Sequence, residues 1–107
     1  MNNVNTETAR QFNAIAPRAL KINGRKYSRK SALYSNETNT VNFHFNARRK
    51  SSEIVASKVS VNVTYQRGSD TYRVEVVHAD GETFENTTIK TFDQMYGETF
   101  ADLALFI

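Results

Sequence analysis

The sequence predicts an α+β domain: a small twisted antiparallel sheet of about four to five strands in a hairpin and meander, with an N-terminal helix and a C-terminal amphipathic helix. Three observations carry this expectation. Apolar and polar residues alternate strictly in 40–46, 58–65 and 72–76. Asn-Gly and Asp-Gly dipeptides separate strand-like runs. The two ends of the chain instead repeat at helical spacing.

The first helix is expected over 5–16. Ala9, Phe12 and Ala16 recur at spacings of three and four, Ile15 lies beside them, and Asn5 or Thr6 can cap the start. Pro17 lacks a backbone donor and disfavours helix at Ala16, so the segment stops there. A basic hairpin over 19–34 follows, turning at Asn23-Gly24, because a type I′ turn needs positive φ at both central residues. After a polar loop at 35–39, the strand 40–46 points Val41, Phe43 and Phe45 one way and Asn42, His44 and Asn46 the other. Strand 58–65 points Val59, Val61, Val63 and Tyr65 inward, and strand 71–78 does the same with Tyr72, Val74 and Val76. Asp80-Gly81 signals a second type I′ turn into strand 83–90. Thr91 with Gln94 reads as a capping box, and Phe92, Tyr96, Phe100 and Leu103 form an apolar stripe, giving the last helix over 92–105. Gly97 within it either permits close packing or marks a break, and the apolar end Leu105-Phe106-Ile107 either completes the core, the preferred reading, or forms a partner surface.

A chain of 107 residues fits one domain with one core, and seven Phe and five Tyr supply large buried area from few positions. With no cysteine, disulfides, thiolate metal sites and a cysteine nucleophile are excluded. The first residues contain neither a basic segment nor an apolar run, and no apolar run reaches the ~18 residues of a membrane helix, so the expectation is a soluble, cytoplasmic protein without a membrane partner. Asn36, Asn62 and Asn86 each begin an Asn-x-Ser/Thr triplet, which a chain this rich in Asn, Ser and Thr produces by composition.

Charge is divided along the chain. Residues 1–66 carry eleven Lys/Arg and three Glu, whereas 67–107 carry three basic and eight acidic side chains. Such asymmetry either marks a polyanion-binding half or lets the two halves neutralise each other across the fold. The basic residues form two clusters, Arg25, Lys26, Arg29 and Lys30 around Tyr27, and Arg48, Arg49 and Lys50 after the third strand. Arg18 and Lys21 extend the first. Long cations in loops meet phosphates, and Tyr27 or Tyr34 could stack on a base or pack inward.

Catalysis is not expected. His44 and His78 are the only histidines, and nothing in their spacing brings two imidazoles together for acid–base work. His78, Asp80 and Glu82 alternate as metal ligands do, but they straddle a tight turn and would diverge. No phosphate-cradling glycine loop or nucleophile elbow is present, so neither cofactor nor metal is expected. Two functional classes remain. The first is a non-catalytic binding or regulatory protein that meets nucleic acid, or a nucleic-acid-processing complex, through Arg25, Lys26, Tyr27, Arg29, Lys30, Arg48, Arg49 and Lys50. The second is an inhibitor of the phage or mobile-element type that docks on a host protein by a sheet edge or surface.

Overall fold

The computed structural model describes residues 4–35 and 38–106, with the side chains of Ser35 and Phe106 left undescribed. Asn36 and Glu37 of the polar loop lie outside the described residues. The order of elements is α1 (Val4–Ile15), β1 (Ala19–Ile22), β2 (Arg25–Ser35), β3 (Thr40–Ala47), β4 (Lys58–Gln66), β5 (Thr71–Ala79), β6 (Asn86–Met95) and a C-terminal 3₁₀ helix (Gly97–Phe106). All neighbouring strands pair antiparallel in the order β1-β2-β3-β4-β5-β6, a six-stranded meander curled into a half-barrel. No helix among the described residues is long and apolar enough to cross a membrane.

The alternation in the sequence accounts for the core. Val41, Phe43, Phe45 and Ala47 of β3, Val59, Val61 and Val63 of β4, and Tyr72, Val74 and Val76 of β5 are buried on one face. Registers Phe43↔Val61, Val61↔Val76 and Val63↔Val74 place them side by side. A one-residue slip would turn each set to solvent, so burial specifies the pairing. The apolar stripe of α1 seals this face. Phe12 stacks on Phe43 with ring centroids 3.8 Å apart, and Phe100 of the 3₁₀ helix lies 5.2 Å from Phe12 and 5.0 Å from Tyr72. The opposite face carries Asn42, His44, Asn46, Lys58, Ser60, Asn62 and Thr64, with Asn42 hydrogen-bonded to Asn62 and Thr40 to Thr64 across the strands.

The sheet has six strands, not four to five, and its C-terminal part departs most from expectation. Residues 92–95 do not begin an amphipathic helix: they extend β6, pairing Val74↔Phe92 and Tyr72↔Met95. Thr91 and Gln94, the supposed capping box, both lie within that strand. β4 pairs with only one edge of β5, the backbone groups of the other edge need partners, and that tertiary pairing overrides a local capping signal. The helix that follows is 3₁₀ and starts only at Gly97. A Cβ on Gly97 would collide with the Gln11 side chain of α1, so this glycine permits close packing of the last element on the first. Leu103 is buried, whereas Leu105 is 80% exposed and does not complete the core. Ile107 and the Phe106 side chain lie outside the described residues.

The two turn dipeptides behave differently. Asn23 and Gly24 have φ of 53° and 79°, the type I′ pattern, and close a two-residue hairpin between β1 and β2. The connection from β5 to β6 is instead a longer turn over 80–85. In it the Asp80 carboxylate accepts hydrogen bonds from the backbone N–H groups of Glu82 and Thr83 at 2.8 and 2.9 Å. Register shifts lie at Arg29/Ser31 in the β2–β3 pair and at Tyr72/Val74 and Val76/Val77 in the β5–β6 pair. Such irregularities sharpen local twist and help a sheet to curl.

Candidate basic surface at the hairpin end of the sheet

A buried carboxylate organises the end of the sheet where the β1–β2 hairpin meets the loop after β3. Glu53 is 5% exposed and accepts both arms of the Arg25 guanidinium, at 2.9 Å from Nη1 and 2.6 Å from Nη2. It also accepts the Lys50 backbone N–H at 2.9 Å and the Ser57 hydroxyl. Ser57 Oγ in turn accepts the Gly81 N–H at 2.9 Å, which ties the loop over 48–57 to the β5–β6 turn. Arg25 Nη2 reaches the Arg48 carbonyl oxygen at 2.5 Å, and Arg49 Nε donates to the Glu53 carbonyl at 2.8 Å. The Arg25 guanidinium, together with the Ser57 hydroxyl and the Lys50 N–H, holds the Glu53 carboxyl far below the usual carboxylate range.

The eight residues singled out in the sequence separate on this frame. Arg25 spends its fork on Glu53. Tyr27 is buried on the core face at 3% exposure, and its hydroxyl pairs with His78 Nε2 at 3.0 Å, so its ring packs inward rather than toward a base; burial also raises its pKa. Arg29 lies over the Phe12 ring at 5.7 Å and donates to the carbonyls of Phe12 and Asn13 near the C-terminal end of α1, where a cation meets the negative end of the helix dipole. Lys30 is exposed at the β2 bulge, in a shallow depression shared with Arg18 and Arg29. Lys26, Arg48, Arg49 and Lys50 remain exposed at the hairpin end.

Two further cations join that group. Lys21 lies directly opposite Lys26 on the face turned away from the core. Like charges in this position repel, and among the described residues neither has an ion-pair partner. Lys58 is one row further along the same face, where Ser28 pairs with Asn46 and Asn46 with Lys58. Alternation alone had marked Lys58 as outward-facing. Its place on the same face, two strands across from the β2 row next to Lys26, comes from three strands in register. Glu53, the organiser of the surface, carried no local signal.

No ion pair among the described residues joins the basic half of the chain to the acidic half. Among the described residues the pairs are Arg10–Glu7 and Arg25–Glu53, both inside the basic half of the chain. The two histidines sit on opposite faces: His78 faces the core opposite Val59, and His44 faces outward opposite Ser60. His44 is half-buried rather than freely exposed, and burial with Lys58 nearby lowers its pKa. No cluster of three His, Asp or Glu side chains suited to a metal ion occurs among the described residues. Comparison with known proteins finds no matching family model, no matching curated protein and no matching solved structure.

Proposed function

We propose that this chain is a non-catalytic nucleic-acid-binding protein that grips the phosphate backbone with Lys21, Lys26, Arg48, Arg49 and Lys50, with Lys58 at the margin. The observation that carries this reading is the gathering of these cations at one end of the sheet, without ion-pair partners among the described residues, on a hairpin and a loop joined by the Arg25–Glu53 pair. An unneutralised group of cations on a fixed frame binds a polyanion by releasing its counterions. Arg25, Tyr27 and Arg29 support the frame rather than touch the ligand. The side chains placed on the surface are cations without a base-reading aromatic among them, which favours contact with backbone over sequence readout.

Fluorescence anisotropy with a short DNA duplex and a single-stranded RNA tests this. For about five phosphate contacts, the logarithm of duplex affinity should fall against the logarithm of salt with a slope of roughly −4 to −5. Changing Arg48, Arg49 and Lys50 together to Gln should flatten that slope by about 2.7 and weaken binding on the order of a hundred-fold at low salt. Lys30→Gln, remote from the group, should change little. Absence of binding at about 50 mM salt, or indifference to the triple change, rejects the proposal.

A further inference from the structure

Next to the basic loop is an exposed apolar strip that the nucleic-acid reading does not use. Ile54 is 65% exposed, Val55 51% and Phe84 57%. They belong to two loops joined at Gly81, whose carbonyl oxygen accepts the backbone N–H groups of Ile54 at 3.0 Å and Val55 at 3.4 Å. Phe84 has φ of 63°, a left-handed conformation that bulky side chains avoid. It is kept there by its own N–H on the Asp80 carbonyl and by the Asp80 N–H on the Glu85 carbonyl, both at 3.0 Å. A large apolar side chain held out to solvent in a disfavoured conformation points to a contact made elsewhere.

The charges flanking the strip indicate what covers it. Along the chain Arg48, Arg49 and Lys50 precede Ile54 and Val55, and the exposed carboxylates Glu82 and Glu85 flank Phe84. The 54–55 segment links the two groups, since Glu53 binds the Lys50 N–H while Ile54 and Val55 bind Gly81. An apolar strip with cations at one end and carboxylates at the other is complementary to itself under a two-fold rotation. We infer that the strip is the interface of a weak symmetric dimer. Phe84 of each copy packs on Ile54 and Val55 of the other, and Glu82 and Glu85 face the other copy's Arg48, Arg49 and Lys50. Three apolar side chains per copy make a small interface, so association is concentration-dependent. The dimer covers cations that the nucleic-acid surface needs, and on that reading the two states exclude each other.

Sedimentation equilibrium on nucleic-acid-free protein, from about 20 µM to about 1 mM, tests the dimer independently of any nucleic acid. The native chain should shift from monomer toward dimer across that range. Phe84→Gly, which suits the positive φ and so keeps the fold, should weaken association at least ten-fold. Two charge-reversed chains, Glu82→Lys with Glu85→Lys and Arg48→Glu with Arg49→Glu, should each be monomeric alone and form a mixed dimer when combined. A native chain that stays monomeric to about 1 mM overturns the inference, as does a dimer indifferent to Phe84→Gly or a mixture that fails to associate.

Discussion

Arg25 on β2 and Glu53 in the β3–β4 loop, 28 residues apart in sequence, form a two-pronged ion pair with N–O distances of 2.9 and 2.6 Å, buried at the carboxylate end. Such a fork fixes direction as well as distance. Through Ser57 and Lys50 it makes one unit of the hairpin, the long loop and the β5–β6 turn. The conformation of the basic segment therefore depends on a carboxylate.

The pair should make stability depend on pH in the acid range. With the Glu53 pKa depressed in the folded state, the unfolded chain binds the proton more readily. The stabilisation is full above the ordinary carboxylate value of about 4.3 and is lost as pH falls toward the folded-state value. Glu53→Gln should be less stable than native protein at neutral pH and show a flatter decline between about pH 5 and about pH 2. Urea unfolding at a series of pH values checks this, and parallel curves for the two proteins would assign the acid sensitivity to other groups.

The aromatic seam between α1, the sheet and the 3₁₀ helix should dominate stability. Phe43→Ala and Phe100→Ala each remove a fully buried ring from a stacked or tilted cluster and should cost about 3–5 kcal/mol in chemical denaturation. A loss below about 1 kcal/mol at Phe100 would show that the 3₁₀ helix does not seal the core.

Substitutions at the two ends of the β5–β6 turn should have opposite signs. A Cβ on Gly81 would collide with the Val55 carbonyl oxygen, so Gly81→Ala should destabilise by about 1–3 kcal/mol. Phe84→Gly relieves a left-handed φ and loses only an exposed ring, so it should stabilise by roughly 1 kcal/mol. Thermal melts of the two variants bracket the native transition if this holds.

His44 offers a further check. Its two ring nitrogens are buried without a hydrogen-bond partner among the described residues. An unsatisfied buried polar group is costly, so His44→Leu should be neutral or stabilising by up to about 1 kcal/mol. In the native chain the imidazole should titrate below the ordinary value of about 6.5 by NMR, because burial disfavours its charged form. Its contribution to stability is present above that value and lost as pH falls. A normal or raised titration point would indicate an unrecognised partner for the ring.

Periodicity by itself determined which side of β3, β4 and β5 is core and where the first helix stops, because alternation and proline act within a few residues. Phe12, Phe43, Val61 and Val74 are legible as buried for that reason. Asn23-Gly24 determined the hairpin, since only positive φ closes two residues with the right twist. Only the tertiary structure decided that residues 92–95 are strand, because the competing signals there are weak and the backbone of β5 settles them. It likewise decided the fate of each cation. Arg25, Arg29 and Lys26 are chemically similar in the sequence, yet one meets Glu53, one meets a helix end and one meets Lys21. That sorting depends on partners brought together from distant parts of the chain, and no local pattern of charge encodes it.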